Sequence, residues 1–273
     1  MSTEREPSPA ELFERFFGPS IFEPWTDVLL EYAEPRRGER VLDLACATGI
    51  VARRAAPMVG DEGRVVGVDI SPEMLEVARR MSGSEGVEVE WREGDAARLD
   101  LPDGAFDLVM CQQGLQFFSD PSRALGEAAR VLAGCGRLVL NVWQPLERHP
   151  VYEALFASEA RHLGAELEKV SRPFMFGDSR RLDALLREAG FERIEITERT
   201  LQAEFEDPDT FVALTVLAAA AVMPEFAQED PEERAALIEA IARDSEDTLR
   251  AHRHGNGIGF PMPNYIAVAY AGS

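Results

Sequence analysis

The segment VLDLACATGIVAR, residues 41–53, carries the chain's most suggestive chemistry. An acidic residue, Asp43, sits in an apolar run and is followed by five small residues, Ala45, Cys46, Ala47, Thr48 and Gly49. Small side chains let a ligand come up against the backbone. A helix beginning just beyond them offers free N–H groups and a positive dipole end to an anion. Asp69 closes the run RVVGVD, where an acidic side chain can accept hydrogen bonds from both hydroxyls of a ribose. Farther on, Glu93-Gly94-Asp95-Ala96 offers a carboxylate that could receive an exocyclic amine.

These residues need elements that deliver them to one edge, and the pattern from Arg40 onward supplies strand and helix in alternation. Strands are expected at Val41–Leu44, Arg64–Asp69, Val87–Trp91, Ala105–Met110 and Arg137–Val142. A helix follows the small-residue turn over Gly49–Ala56. Another opens on Ser71 as N-cap with Pro72 at its first position, and a third spans Pro121–Leu132. Short apolar strands separated by helices make βαβ units and a buried parallel sheet. Beyond Trp143 the alternation weakens. A helix over Ser179–Ala189, a strand over Glu192–Glu198, helical stretches at 208–223 and 231–252, and a last strand at Asn264–Ala271 complete the expectation. The N-terminal residues 1–10 read as disordered, and 11–33 as two short helices broken at Gly18-Pro19. The domain reading is an N-terminal helical cap segment at 1–38 and an α/β domain at 39–273 with a helical insertion at about 207–254. These additions could cover the carboxyl edge of the sheet, where open α/β sheets bind ligands.

A turn of small residues, then one carboxylate, then another, suits a nucleoside ligand bearing a charged tail. Two ligands fit, a dinucleotide and S-adenosylmethionine. The dinucleotide fingerprint G-x-G-x-x-G is missing, because its first two glycine positions fall on Ala45 and Ala47. From about residue 39 to 143, and again at 264–271, the chain resembles the class I S-adenosylmethionine-dependent methyltransferases, in particular the small-molecule group that includes the ubiquinone/menaquinone-type C-methyltransferases. VLDLACATG resembles the family's first motif, GVDISPEMLEVAR the second, and EGDAARLDLPDGAFDLVMCQQGLQFFSD the third and fourth. The resemblance implies a Rossmann-like, mostly parallel seven-stranded α/β sheet with an antiparallel last strand, plus a helical cap. It implies S-adenosylmethionine as cofactor and S-adenosylhomocysteine as product. Carried over by position, Ala45, Cys46, Ala47, Thr48 and Gly49 hold the methionine moiety, and Asp43 orients the turn and the amino group. Asp69 binds the ribose, Ile70 and Met74 pack on the adenine, and Asp95 and Ala96 meet its edge. Cys111 and Gln112 lie near the sulfonium. The family usually has glycine where this chain has Ala47, and at φ > 0 an alanine there costs about 1 kcal/mol.

Methyl transfer asks mainly for positioning and a dry site. Phe16, Phe17, Gln116, Phe117, Trp143 and His149 are the candidates to meet an acceptor, and no catalytic residue is assigned. His149, after the fifth strand and beside Trp143, and then Tyr152, are the candidate bases for an oxygen or nitrogen acceptor. Each residue also has a plainer reading. Cys46 and Cys111 can be buried filler, His149 a helix-start histidine, the phenylalanines core staples, and the glutamines after the fourth strand a solvated loop. The 211–223 helix reads as a buried core helix, a pocket wall or a dimer face, the last two preferred because polar residues (Glu204, Glu206, Asp207, Asp209 and Glu225) bracket it.

The chain's 28 basic residues against 49 acidic ones give a net charge of −21, with no basic patch, which argues against nucleic acid as a partner. Three cysteines without a CxxC pair argue against a structural metal or a disulfide scaffold. The polar, acidic N-terminus does not read as a signal peptide, and no apolar run reaches the ~20 residues of a membrane span. A small, apolar or aromatic acceptor, a cytoplasmic location and a homodimer are the expectations. An NAD-type oxidoreductase, a cofactor-binding protein without transfer, and an interaction protein built on the 208–252 helices are the rivals.

Overall fold

The computed structural model describes residues 8–82, 88–174, 176–220 and 230–272. They form two compact units. The first takes the described residues up to Val142, Asp178–Arg199 and those from Asn264 onward. The second takes Trp143–Gly177 and the described residues of 200–263.

The first unit opens with α1 (Pro9–Leu12), a π-helical stretch (Phe13–Phe22) and α2 (Glu23–Ala33). The break expected at Gly18-Pro19 does not occur. Pro19 lies inside the wide π turn, where Glu23 N–H reaches back to the Gly18 carbonyl, and the winding continues into α2. Then follow β1 (Arg40–Leu44), α3 (Ile50–Val59), β2 (Arg64–Asp69), α4 (Pro72–Met81), β3 (Val89–Glu93), β4 (Phe106–Gln112), α5 (Pro121–Val131) and β5 (Leu132–Trp143). Val41, Leu42, Val65, Val66, Leu108 and Val109 are fully buried, as strands covered on both faces require. The helix starts follow from their caps. Ser71 Oγ accepts Met74 N–H at 3.3 Å, Asp120 accepts Arg123 N–H at 3.0 Å, and each cap precedes a proline at the first position.

The remaining elements are α6 (Pro150–Leu163), α7 (Leu167–Val170), α8 (Ser179–Glu188), β6 (Phe191–Phe205), α9 (Pro208–Ala220), α10 (Pro231–Asp244), α11 (Glu246–Ala251), β7 (Arg253–His254) and β8 (Gly257–Ala271). Val87, residues 1–7 and residues 221–223 of the expected apolar helix lie outside the described residues. The sheet runs β3-β2-β1-β4-β5-β8-β6, parallel through β5 with antiparallel strands at its C-terminal side. Among the described residues it has eight strands rather than the seven expected, because the two-residue β7 pairs antiparallel with the start of β8, Arg253 opposite Ile258. β1 pairs with β2 on one side and β4 on the other. Strand order reverses there, which opens a crevice at the carboxyl ends of β1 and β4.

Candidate cofactor site

At that reversal the chain leaves β1 through Ala45–Gly49. Three of the five residues are left-handed: Ala45 at φ 59°, Ala47 at 47° and Gly49 at 83°. The turn is closed by Gly49 N–H on the Cys46 carbonyl at 2.7 Å and tied to β2 by Cys46 N–H on the Val68 carbonyl at 3.0 Å. Cys46 and Thr48 point inward and are buried, while Ala45 and Ala47 are partly exposed. L-alanine at positive φ costs about 1 kcal/mol each time, so this turn holds strain where a ligand would meet it. Gly49 has a second reason to be glycine. A Cβ there would fall 2.2 Å from the Trp91 ring, and one on Gly67 would fall 2.4 Å from it. The indole of Trp91, on β3, therefore lies against both the turn and β2, and its N–H donates to Ser82 Oγ at 3.1 Å. In the sequence this contact of Trp91 shows only indirectly. A glycine inside the apolar strand VVGV was the available sign of a close approach.

Asp43 is buried. Its Oδ2 accepts the Ala52 N–H at 2.9 Å, which fixes the first turn of α3, and its Oδ1 has no partner. Burial pushes its carboxyl up to about 7, and the charge of Asp69 adds to the rise. Asp69, at the end of β2, accepts Ala47 N–H through Oδ2 and Ser71 N–H through Oδ1, both at 2.8 Å. The expected ribose carboxylate thus also holds the turn. Burial raises its pKa, and those backbone donors oppose the rise. Beside it Ile70 is 70% exposed, an apolar side chain standing open at the strand end. Met74 follows on the first turn of α4, partly buried. Gly94 N–H bonds the Asp69 carbonyl at 3.0 Å, so the end of β3 lies alongside. Asp95 is exposed with its Oδ1 on Ala97 N–H at 2.9 Å, and Ala96 is buried.

At the end of β4, Cys111 is buried and its thiol is pushed up to about 12 by burial, so it is neutral filler. Burial also holds the Cys46 thiol well above its ordinary value. Gln112 Nε2 donates to the Phe22 carbonyl at 3.1 Å and to Thr26 Oγ1 at 2.9 Å, joining β4 to the N-terminal helices. Phe16 and Phe17 lie partly buried on the π-helical stretch, with the Arg15 guanidinium over the Phe16 ring. That stretch is tied to α3 by Glu14 on Arg53 at 2.7 Å, and Arg53 also reaches the Thr48 carbonyl. Beyond β4, Phe117 is 48% exposed and Gln116 is buried. Gln113 and Gln116 are not a solvated loop. Both are buried and joined to Asn141 and Asn264.

Trp143 and His149 belong to the second unit and meet there, ring centroids 6.0 Å apart. His149 lies 4.5 Å from Phe174, with its Nδ1 3.2 Å from the Pro145 carbonyl. Burial pushes the imidazole down to about 4, which leaves it neutral and a weak base at neutral pH. Tyr152 is buried against Phe156, Phe174, Phe211 and Phe260, and burial raises its phenol well above the usual range.

The residues around the turn fit an adenosine with an amino-acid tail. Asp43 keeps an unpartnered carboxylate oxygen, two acidic groups make a site that favours a cation, and Ile70 presents an open apolar surface. In open α/β sheets a strand-order reversal of this kind is where ligands bind.

The "Methyltransferase domain" family matches residues 41–136. The demethylmenaquinone methyltransferase of Thermus thermophilus is 44% identical over 124 residues, 44% of this chain and 54% of that protein. The demethylmenaquinone methyltransferase of Deinococcus radiodurans is 31% identical over 196 residues, 66% of this chain and 79% of that protein. The chain thus spans about half the length of the Thermus relative and most of the Deinococcus one. The YcgJ protein of Bacillus subtilis, 22% identical, superposes with a TM-score of 0.61 over 91% of this chain and 98% of that one, a likeness of fold. The chain belongs to the class I S-adenosylmethionine-dependent methyltransferases. Among the described residues no group of side chains could hold a metal ion, and no helix is long and apolar enough to cross a membrane.

Proposed function

We propose that the protein transfers the methyl group of S-adenosylmethionine to a small, apolar or aromatic acceptor. The observation that carries this reading is the turn after β1, left-handed at Ala45, Ala47 and Gly49 and anchored by Asp69, above a buried Asp43 with a carboxylate oxygen to spare. Asp43 and the turn would hold the methionine tail, Asp69 the ribose, Ile70 and Met74 the adenine faces, and Asp95 and Ala96 its edge. When bound, the cofactor supplies a methyl group already electrophilic on its sulfonium. The chain's own work is then to orient the acceptor and keep water out. Phe16, Phe17 and Phe117 would contact the acceptor in the first unit. Within the second unit, Trp143 and His149 form an apolar aromatic group rather than supply a base, since His149 stays neutral. The acidic balance favours a small-molecule partner over nucleic acid, in a cytoplasmic protein. The 208–220 helix is the candidate homodimer face.

Titration calorimetry with S-adenosylhomocysteine and with NADH tests the cofactor. The expected result is binding of the first alone; binding of NADH alone overturns the reading. A screen of small acceptors with methyl-labelled S-adenosylmethionine then separates transfer from cofactor binding without chemistry. Label in no acceptor, with cofactor bound, would favour the second of these.

A further inference from the structure

Next to the cofactor turn lies a set of buried carboxamides, of which only Gln116 was a candidate to meet the acceptor and none has yet been given a role. Gln116 Nε2 donates to Gln113 Oε1 at 2.8 Å, and Gln113 Nε2 donates to Asn264 Oδ1 at 2.6 Å. The Gln113 backbone N–H donates to Asn141 Oδ1 at 3.1 Å and to the Asn141 carbonyl at 3.1 Å. All four residues are buried. They come from the loop after β4 and from β5 and β8, neighbours in the sheet, with Asn141 in register with Gln112. Gln113 is itself left-handed at φ 53°, a conformation an L-glutamine adopts only when its surroundings impose it.

Asn141 is oriented by an obligate donor, and the glutamines by the run of bonds from one to the next. A backbone N–H can only donate, so Asn141 must present its oxygen to Gln113, and its Nδ2 is left as a buried donor without a partner. Along the glutamines every NH2 points toward Asn264, so Gln116 Oε1 is left as a buried acceptor without a partner. Buried polar groups are rarely left unmet, and each exception asks for an explanation. The loop that carries them also touches the cofactor turn. A Cβ on Gly114 would fall 2.7 Å from Ala45 Cβ, so only glycine lets β4 and the turn approach this closely.

We propose that Gln116 and Asn141 read one uncharged hydroxyl on the methyl acceptor. The hydroxyl donates to Gln116 Oε1 and accepts from Asn141 Nδ2. Gln113 acts as a positioning residue that fixes which end of each amide is offered. This rests on the methyl-transfer reading above. A methyl ether cannot donate, and a carboxylate would face Gln116 Oε1 with like partial charge, so both are disfavoured relative to the free hydroxyl.

The test uses the full chain saturated with S-adenosylhomocysteine, titrated with 2-naphthol, 2-methoxynaphthalene and 2-naphthoate as probes. The naphthol is expected to bind at least about tenfold more tightly than either analogue. In Gln116→Met and in Asn141→Leu that preference should fall below about threefold, with the affinity for S-adenosylhomocysteine unchanged as the check on folding. Gln113→Asn, which tolerates the left-handed backbone, should lower the preference in the same way. Equal binding of naphthol and its methyl ether overturns the proposal, as does no naphthol binding, or a preference that survives in Gln116→Met. Failure of S-adenosylhomocysteine itself to bind overturns the cofactor reading, and this proposal with it.

Discussion

At the scale of residues, the turn after β1 contrasts two alanines with one glycine. Ala45 and Ala47 occupy a backbone region that glycine enters freely. Ala47→Gly is therefore expected to improve or preserve cofactor affinity. The relieved strain, about 1 kcal/mol and partly offset by the greater freedom of glycine in the unfolded chain, appears in folding stability, and affinity gains only what the bound turn would otherwise add to it. A marked loss of S-adenosylhomocysteine affinity in calorimetry would mean that the alanine methyl is a ligand contact. Asp69 is a different case because its two oxygens hold Ala47 and Ser71. Asp69→Ala should cost about 1–3 kcal/mol of cofactor affinity while the protein stays folded. An unchanged dissociation constant would refute its assignment to the ribose. How Asp69 holds the turn was not legible in the sequence, since a side-chain-to-backbone bond across 22 positions leaves no local pattern.

At the scale of elements, the N-terminal helices are pinned to α3 by Glu14 and Arg53, whose side chains are 13% and 20% exposed. In a double-mutant cycle with Glu14→Gln and Arg53→Met, a coupling of about 1 kcal/mol is expected from denaturant midpoints. A coupling near zero would show that packing alone holds the π-helical stretch. That stretch was misread from sequence because Gly18-Pro19 signals a break, and only the wider π winding lets proline stay inside. The core strands were legible because burial on both faces writes continuous apolar runs. β6 and β8 were read too short, at 192–198 and 264–271 against Phe191–Phe205 and Gly257–Ala271. Half-exposed residues of mixed polarity in ERIEITERTLQAEF do not announce where pairing ends. The buried amides were the other gap. Asn141 stands out in the apolar run LVLNVW, yet nothing local joins it to Gln113.

At the scale of the whole molecule, the carboxyls divide into two opposed sets. Burial raises Asp43 to about 7 and Glu159 to about 8, and it raises Asp69 as well. Glu159, on α6 in the second unit, is buried with neither carboxylate oxygen partnered. Between the unfolded value near ~4 and these folded values, the folded chain binds more protons than the unfolded one. Stability must therefore fall as pH rises from about 4 toward 8. The other set runs the opposite way. Arginine partners hold Glu90, Asp107 and Glu127 below their ordinary values, so their contribution is present above about pH 4 and is lost as pH falls through their folded values. The net charge of −21 adds its own repulsion as acids ionise.

His149 opposes the first set, since burial holds its imidazole at about 4 and stability gained from it rises with pH until about 6.5; the raised carboxyls outnumber it and keep the optimum on the acidic side of neutrality. Denaturant midpoints measured from pH 5 to 8 should decline by at least about 1 kcal/mol in stability. Glu159→Gln, which keeps the shape and removes the titration, should flatten much of that decline and gain most at pH 8. Repeating the series in about 0.5 M salt separates the sources, because mobile ions screen surface repulsion and leave a buried carboxyl untouched. A slope that vanishes in salt would assign the decline to net charge and overturn the raised value of Glu159 in the fold. A profile flat or rising from pH 7 to 8 in the parent protein, where His149 is neutral folded and unfolded alike, would mean that Glu159 finds a partner in solution. Cofactor changes the balance in one place. A cationic ligand beside Asp43 favours its ionised form, so S-adenosylmethionine should bind more tightly as pH rises through about 7, opposite in sign to the stability of the free chain.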